Sequence, residues 1–552
     1  MARGQGQPSL EAGLGNARTP ARRFWRAAAA VLLLALCLRI VLLAADVFPF
    51  NADEAIVGLM ARHILAGTWP TFFYGQAYLG SLDAAFVAAA FALLGETLLA
   101  IRIVQSLLFL GTILTTMALT REMGFSILVC TLAGLLLAIP SVNVTLYTTV
   151  SLGGYGEALL LGNLILLTTL RLIRRPAPVW AFARWGVLAG FALWVFGLTL
   201  IYTAPCVAAL TFACLGRLPR REIFVRGAAL LAGAMLGALP VIVWGAAHGP
   251  GFLLGELMGS AIAGASAAEL PSAFASHLVN LALFGPTVLL GVRPPWSVTS
   301  LGMPLAPIAV IVWLAVVVLG LRRGSWSVSG LPGRTLLLTS ALTLLVAFLL
   351  TPFGADPSGR YFLPLAIPLA IFGAAGIQAA RDLTGRPWPL ALAALLLAFH
   401  LWTNLQAAVG GPGFTTQFDA STVFDRAHDK ELVDFLLDQE ATAGYSTYWV
   451  SYPLAFMSQE RLVYLPHLPY HSDFRYATRD DRYEPYRTVV AAESRPSFIT
   501  ARQPWLDAVL RERLRARGVD FKEKAIGDYR VFYDLSETVR PDDLGLGGGT
   551  AP

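Results

Sequence analysis

Asp53 and Glu54 stand side by side at the end of the run Asp46-Val-Phe-Pro-Phe-Asn-Ala-Asp53-Glu54, immediately after the first apolar block of the chain. The next residues, Ala55 to Ala66, carry Ile56, Met60 and Ile64 on one helical face, which predicts a helix lying in the plane of a membrane interface. Two readings of the acidic pair are compatible. Asp53 can cap that helix with Glu54 in its first turn, where the helix dipole favours negative charge. A carboxylate held in this way can also take the proton from an attacking hydroxyl or amine, as a general base. Downstream lies Phe72-Phe-Tyr74-Gly75-Gln76-Ala-Tyr78-Leu-Gly80-Ser-Leu-Asp83, a run of aromatic and amide groups. Tyr74 and Tyr78, like Trp69 and Trp296, read first as interface anchors, with sugar stacking a second reading for Trp69 or Tyr74. Glu157 follows Ser151-Leu-Gly-Gly-Tyr-Gly at the head of another apolar block, where an acid is either a helix-dipole partner or functional. Asp356-Pro-Ser-Gly-Arg360-Tyr361 opens a later block. Arg360 there can snorkel to the interface or grip a phosphate with two parallel hydrogen bonds.

The elements that must position these residues are membrane helices. Of 552 residues, 56% are hydrophobic and 14% charged, against roughly 25% charged in soluble domains. The apolar residues fall in blocks near the ~17–25 residues needed to cross a hydrocarbon core: 27–45, 80–97, 101–119, 125–140, 157–173, 186–201, 203–216, 225–246, 304–321, 335–352, 361–379 and 387–405. A shorter piece at 279–292, broken by Gly285 and Pro286, reads as re-entrant or interfacial. Blocks 186–201 and 203–216 form one tight hairpin or one broken helix. The expectation is a polytopic α-helical protein with 11–13 crossings. The first block reads as a retained signal anchor behind a cytoplasmic tail, 1–26.

Arginines mark one side. Arg18, Arg22, Arg23 and Arg26 and the loops 171–184, 217–226, 322–334 and 381–386 are basic and predicted cytoplasmic, whereas 46–79, 141–156, 247–303 and 353–360 are predicted outside. That clustering at block ends accounts for the net charge of +6 and argues against a nucleic-acid partner. Three apolar blocks between the outer loops 46–79 and 141–156 violate parity, and the shortest, 125–140, is the first suspect. Cys37, Cys130, Cys206 and Cys214 all lie in apolar blocks and read as packing residues. Beyond residue 405 the composition changes: 411–535 holds 19 of the 35 acidic residues. There, helices at 430–440 and 505–517 and strands at 445–450, 461–465 and 529–535 predict a small α/β domain, followed by a tail at 536–552, Gly-rich from Gly545 and expected to be disordered.

The acidic pair in the first outer loop, the later acid Glu157, the Arg360-Tyr361 element and a C-terminal outer domain together resemble the GT-C superfamily, specifically the bacterial family-39 and RgtA/B/C/D-like membrane glycosyltransferases. Those are relatives of protein O-mannosyltransferases and of the lipid A aminoarabinose transferase. The Tyr74-to-Gly80 run is similar to a subset of bacterial members, and the resemblance covers 24–405, the predicted catalytic region 27–405 included. It implies a polyprenyl-phosphate sugar donor, inverting transfer to an envelope glycan, lipid or protein, and residence in a bacterial inner or plasma membrane with the site extracytoplasmic. Carried over, Asp53 is the general base, Glu54 supports it or contacts the acceptor or a metal, and Arg360 holds the donor phosphate. Glu157, Tyr361, Tyr74, Gln76 and Tyr78 join the substrate-binding set. The only cofactor implied is a divalent cation that some relatives hold near these acids; His63, His248 and His277 read as surface or interface residues, not ligands. Two other functions fit a polytopic chain: a flippase for lipid-linked sugars, which would show repeated halves, and a non-catalytic scaffold. Convergence of Asp53, Glu157 and Arg360 on one outward cavity would separate a transferase from the flippase, and a scaffold would keep its function with Asp53→Asn but lose it without 411–535.

Overall fold

The computed structural model describes residues 10–258, 270–324, 331–470, 474 and 476–546. The expected disordered tail, 536–552, is corrected for 536–546, which carries a short helix at Pro541–Leu544 with Val539, Leu544 and Leu546 buried; 547–552 and the first nine residues lie outside the described residues. Among the described residues, eight helices are long and apolar enough to cross a membrane, or nine if the pair Arg220–Gly237 and Leu239–His248, bent by 65°, counts as one span. Four shorter apolar helices accompany them: Leu82–Leu94, Ile127–Ala138, Val179–Val195 and Ala273–Leu289. The chain is a multi-pass membrane protein. Its first helix, Leu10–Ala44, runs back into the expected tail, with the apolar part at Ala21–Ala44.

The parity problem resolves at a different block from the suspected one. Leu82–Leu94, of 13 residues, is no shorter than Ile127–Ala138, of 12, so the position of its ends and not its length decides its course. Both its ends lie on the side that carries the C-terminal domain. Gly80 ahead of it closes a β-hairpin, and Glu96 behind it meets Arg62 at 2.8 Å beside that domain. This helix therefore lies along the surface, packed on Ala52–Leu65. Leu98–Glu122 and Ile127–Ala138 then make the even pair of crossings. Blocks 186–201 and 203–216 are a hairpin: Val179–Val195 and Leu200–Leu215 are joined by a short turn whose Phe196 bridges to Leu79. The 279–292 piece continues a helix from Leu270, through a π-turn at Asn280–Phe284, as far as Leu289.

Bilayer lipid gives helices no hydrophobic reason to associate, so small residues that admit close backbone contact decide the crossings. Val179–Val195 and Arg220–Gly237 touch backbone to backbone. A Cβ on Gly186, Gly190, Gly233 or Gly237 would collide with the carbonyls of Leu230, Ala234, Ala183 or Val187. Ala306–Arg323 and Ala366–Thr384 cross in the same way through Gly320 and Gly376.

Two sheets occur among the described residues. β1 (Phe72–Phe73) and β2 (Gln76–Gly80) form the hairpin after the first surface helix, turning on Tyr74-Gly75. The C-terminal domain holds β3 (Ala443–Tyr445), β4 (Val463–Leu465), β5 (Ser497–Ala501), β6 (Lys522–Ile526) and β7 (Tyr529–Tyr533) in the order β4-β3-β5-β7-β6. β3 runs parallel to β4 and β5; β7 is antiparallel to β5 and β6. The expected helices appear as Asp429–Asp438 and Pro504–Ala516. The expected strand at 445–450 is corrected: it stops at Tyr445, and Tyr448–Met457 is a helix. Tyr448, Tyr452 and Phe456 recur every four residues on one face, and burial of that face outweighs their strand propensity.

Packing of this kind makes Gly190→Leu costly. Thermal unfolding in detergent should show a loss of about 1–3 kcal/mol from overpacking. Gly227→Ala, at a helical position with nothing within 4 Å of the added carbon, should be neutral or stabilising by up to ~1 kcal/mol.

Candidate active site

The surface helix Ala52–Leu65 begins two residues earlier than expected. Asn51, not Asp53, is its N-cap: the Asn51 side chain accepts from the Glu54 amide at 3.0 Å and donates to the Glu54 carboxylate at 3.4 Å. Asp53 sits inside the first turn, where the dipole favours its charge. Consecutive residues on a helix diverge by about 100°, and Asp53 and Glu54 accordingly separate. Glu54 is fully buried and takes two hydrogen bonds from Arg102, Nε to Oε1 and Nη2 to Oε2, each 3.0 Å. Arg102 also donates to the Phe48 carbonyl at 2.9 Å. Glu54 thus fastens the surface helix to the spanning helix Leu98–Glu122 and does not line the cavity that Asp53 faces.

That cavity, about 290 Å³, is bounded by three parts of the chain. The membrane region supplies Asp53, Tyr155 and Arg360, the β-hairpin supplies Gln76 and Tyr78, and the C-terminal domain supplies Tyr448, Tyr470, Arg479, Asp480 and Arg482. Tyr155 and Arg360 each open a span, Tyr155–Arg174 and Arg360–Thr384, so the cavity sits at the ends of membrane helices beneath the soluble domain. A larger cavity of 1320 Å³ opens where the first loop, the end of the last span and the C-terminal domain meet; Asn51 and Arg62 line it, but Asp53, Arg360 and Arg482 do not.

Tyr448 donates to Asp53 Oδ1 at 2.6 Å. Burial and the Asp53 charge hold the Tyr448 hydroxyl well above its ordinary pKa, so it stays a donor. The Arg482 guanidinium lies 5.4 Å from the centre of the Tyr448 ring. With the Gln76 amide turned so that its oxygen faces the guanidinium, that oxygen accepts from Nη1 at 2.6 Å and from Nη2 at 3.1 Å. Gly75 permits this approach: its φ of +70° suits the two-residue turn, and its missing side chain leaves room for Arg482 Cδ. Burial works against the Arg482 charge, but Tyr448, Asp53 and Asp480 outweigh it and raise its pKa. Arg360 pairs through Nε with Asp356 at 2.6 Å. Among the described residues, Arg479 Nη1 and Arg482 Nε are buried without a hydrogen-bond partner. Tyr470 donates to Asp480. Burial pushes the Asp480 carboxyl up to about 6, against the Tyr470 hydrogen bond and the Arg482 charge, which lower it.

Of the residues singled out in the sequence, Asp53, Gln76, Tyr78 and Arg360 meet around this cavity. Glu157 does not: it is buried inside the helix bundle against Asp83, which also takes hydrogen bonds from Gln105 at 2.8 Å and from Ser151. Tyr361 is buried behind Arg360, packed on Phe353 and Tyr155. Tyr74 belongs to the domain seam. It bonds His63 at 2.7 Å and packs on Tyr483, while His63 Nε2 meets Glu460 at 3.0 Å. Arg479, Asp480 and Arg482 escaped the sequence reading, although the dense run Arg479-Asp-Asp-Arg482 in an aromatic surrounding was a visible sign. No group of three or more His, Cys, Asp or Glu that could hold a metal occurs among the described residues. Asp53 and Asp480 face guanidinium and phenol groups, a donor set unsuited to a resident cation.

No family model and no curated protein matches the chain. Solved structures do. ArnT from Cupriavidus metallidurans, bound to undecaprenyl phosphate, superposes with a TM-score of 0.54 at 12% identity over 94% of this chain and 99% of its own. Its apo form gives 0.54 at 11% identity, over 95% and 100%. The apo oligosaccharyltransferase of Archaeoglobus fulgidus gives 0.50 at 15% identity, over 87% of this chain and 70% of its own.

The chain has the GT-C fold. At such low identity the likeness speaks to architecture alone. The GT-C fold here includes both the helical membrane region and the C-terminal domain, since the match to ArnT runs nearly the length of both chains.

Two consequences follow for stability. Breaking the buried Glu54–Arg102 pair with Glu54→Gln should cost about 3–5 kcal/mol in detergent unfolding. The folded protein keeps the Asp480 proton up to about pH 6, whereas the unfolded chain releases it near 3.9. Asp480 therefore contributes a loss of stability as pH rises through that window, and Asp480→Asn should flatten the decline between pH 4 and 6 relative to wild type.

Proposed function

We propose that this chain is a glycosyltransferase that moves a sugar from a polyprenyl-phosphate carrier to an acceptor outside the cytoplasm. The observation that carries the reading is that the Asp53 carboxylate, with Asp480 in the same lining, shares a cavity at the ends of spanning helices with three guanidinium groups, those of Arg360, Arg479 and Arg482. A carrier whose prenyl tail remains in lipid presents its phosphate at this height. ArnT, which has the same fold, has been captured with such a lipid.

In this reading the three arginines hold the donor phosphate, with the unpartnered Arg479 Nη1 and Arg482 Nε as ready donors. Tyr448 and the first turn of its helix fix the Asp53 carboxylate. The acceptor hydroxyl or amine gives its proton to Asp53 as its heteroatom attacks the anomeric carbon. The bond from that carbon to the phosphate oxygen breaks on the opposite face, the electron pair leaves with the phosphate, and the configuration inverts. Arginine charge offsets the negative charge that gathers on the departing phosphate. Gln76 positions Arg482, and Tyr78 lies against the sugar. Glu54 acts through the helix it anchors, and Glu157 and Tyr361 act through packing behind the cavity. In the same reading the cavity faces the extracytoplasmic side of a bacterial inner membrane, which the arginine-rich loops at the other helix ends support, and the acceptor is an envelope glycan, lipid or protein.

Envelope glycans and glycoproteins from cells with and without the active gene, compared by mass spectrometry, should differ by a sugar that wild type restores and Asp53→Asn does not. In purified protein Asp53→Asn should lower turnover by about 10²–10⁴-fold with undecaprenyl phosphate still bound. Arg482→Gln should weaken that binding by roughly 10–100-fold. Full complementation by Asp53→Asn would overturn the assignment.

A further inference from the structure

At the far end of helix Tyr155–Arg174 lies another charged cavity, of about 520 Å³. Tyr155 lines the candidate active site and Arg174 lines this one. A 20-residue helix is about 30 Å long, so the two cavities open on opposite faces of the membrane.

The cavity is lined by Arg174, Arg175, Arg217 and Arg226, with Phe182 and Leu210 as its apolar wall, and among the described residues no acidic one lines it. The carboxylates that touch these arginines lie outside the lining. Glu122 is 3.6 Å from Arg174 and 3.9 Å from Arg175, and Glu222 is 2.5 Å from Arg226. Arg217 gives one Nη1 hydrogen bond to the Ile173 carbonyl at 2.5 Å. Four cations thus face the cavity against two anions behind them. The lining also runs through Pro176 to Pro178, the head of helix Val179–Val195, whose first-turn amides add positive partial charge.

Arginines at the ends of spans are ordinary markers of membrane orientation, and most need no ligand. Here Arg174 and Arg226, 18% and 16% exposed, are drawn into a cavity between helices, with the more exposed Arg175 and Arg217 at its rim. Apolar surface flanks that cavity: Phe212, Leu215 and Trp180 are 74%, 60% and 62% exposed, the condition of side chains that meet acyl chains. We propose that this cavity binds the phosphate headgroup of an anionic phospholipid of the arginine-rich leaflet, the guanidinium groups on the phosphate and the acyl chains along Phe212 and Leu215. Basic pockets between helices on this face are suited to such headgroups, and the planar guanidinium matches a phosphate with paired hydrogen bonds.

The test is native mass spectrometry of the full chain, purified in detergent and titrated with phosphatidylglycerol or phosphatidylcholine. Phosphatidylglycerol should be retained at about tenfold lower concentration than phosphatidylcholine. Arg217→Gln/Arg226→Gln should abolish that preference, Arg175→Gln should reduce it by a few fold, and Arg171→Gln, outside the lining, should leave it intact. Arg217 and Arg226 also bond Ile173 and Glu222, so Arg175→Gln, whose side chain is 74% exposed and whose ion pair is long, keeps the test readable if the double variant unfolds. Loss of preference in either folded variant supports the site. Equal retention of the two lipids by wild type, or unchanged preference in every folded variant, overturns it. Displacement of phosphatidylglycerol by an equal concentration of inorganic phosphate would also overturn the lipid assignment, marking a site for free anions.

Discussion

The buried pair of Glu54 and Arg102 is the interaction on which the candidate site rests. Removing both charges from water costs several kcal/mol per ion, and only good geometry offsets it. Here the pair is bidentate, Arg102 has the Phe48 carbonyl as a further acceptor, and Asn51 adds a donor to Glu54. A half-made version of this network would be worse than an apolar contact. The network accordingly admits one seating of the surface helix on the spanning helix beside it. Asp53, one residue away and turned to another side, inherits that seating.

A second constraint comes from above. Helix Ala52–Leu65 is not an amphipathic helix with one free face. Ala55, Val57, Leu59 and Ala61 are buried along with Ile56, Met60 and Ile64, because Leu82–Leu94 and the C-terminal domain both pack on the helix. Gly58 lets the Phe456 ring lie against the helix backbone, and His63, Tyr74, Glu460 and Tyr486 tie the seam with hydrogen bonds. The domain that makes this seam also brings Tyr448, Asp480 and Arg482 to Asp53. Docking of the two parts and assembly of the cavity are one event.

The membrane region obeys its own rule. Where helices must approach closely, glycines face carbonyls; where an acid is buried, other polar groups surround it. Asp83, which takes hydrogen bonds from Gln105 and Ser151, forms such a polar knot, with the Glu157 carboxyl of Tyr155–Arg174 buried against it. An acid at the head of an apolar block can therefore hold a bundle together without touching a ligand.

Much of the architecture was legible in the amino-acid sequence. Block length and charge spacing determine a multi-pass helical protein, because hydrocarbon thickness and the cost of buried charge leave few alternatives. The change of composition after residue 405 announces the α/β part, and the types and places of Asp53, Gln76, Tyr78 and Arg360 mark them as worth watching. Three things were decided only in three dimensions. The block at 80–97 lies flat because the β-hairpin at its head and the Glu96–Arg62 pair at its tail hold both its ends on one side. Tyr448–Met457 is helical because three aromatic side chains four residues apart are buried together. Glu54 parts from Asp53, and Arg482 joins it, because a helix turns adjacent side chains in different directions and because a contact between residues 395 apart, such as Tyr448 with Asp53, leaves no periodic trace along the chain.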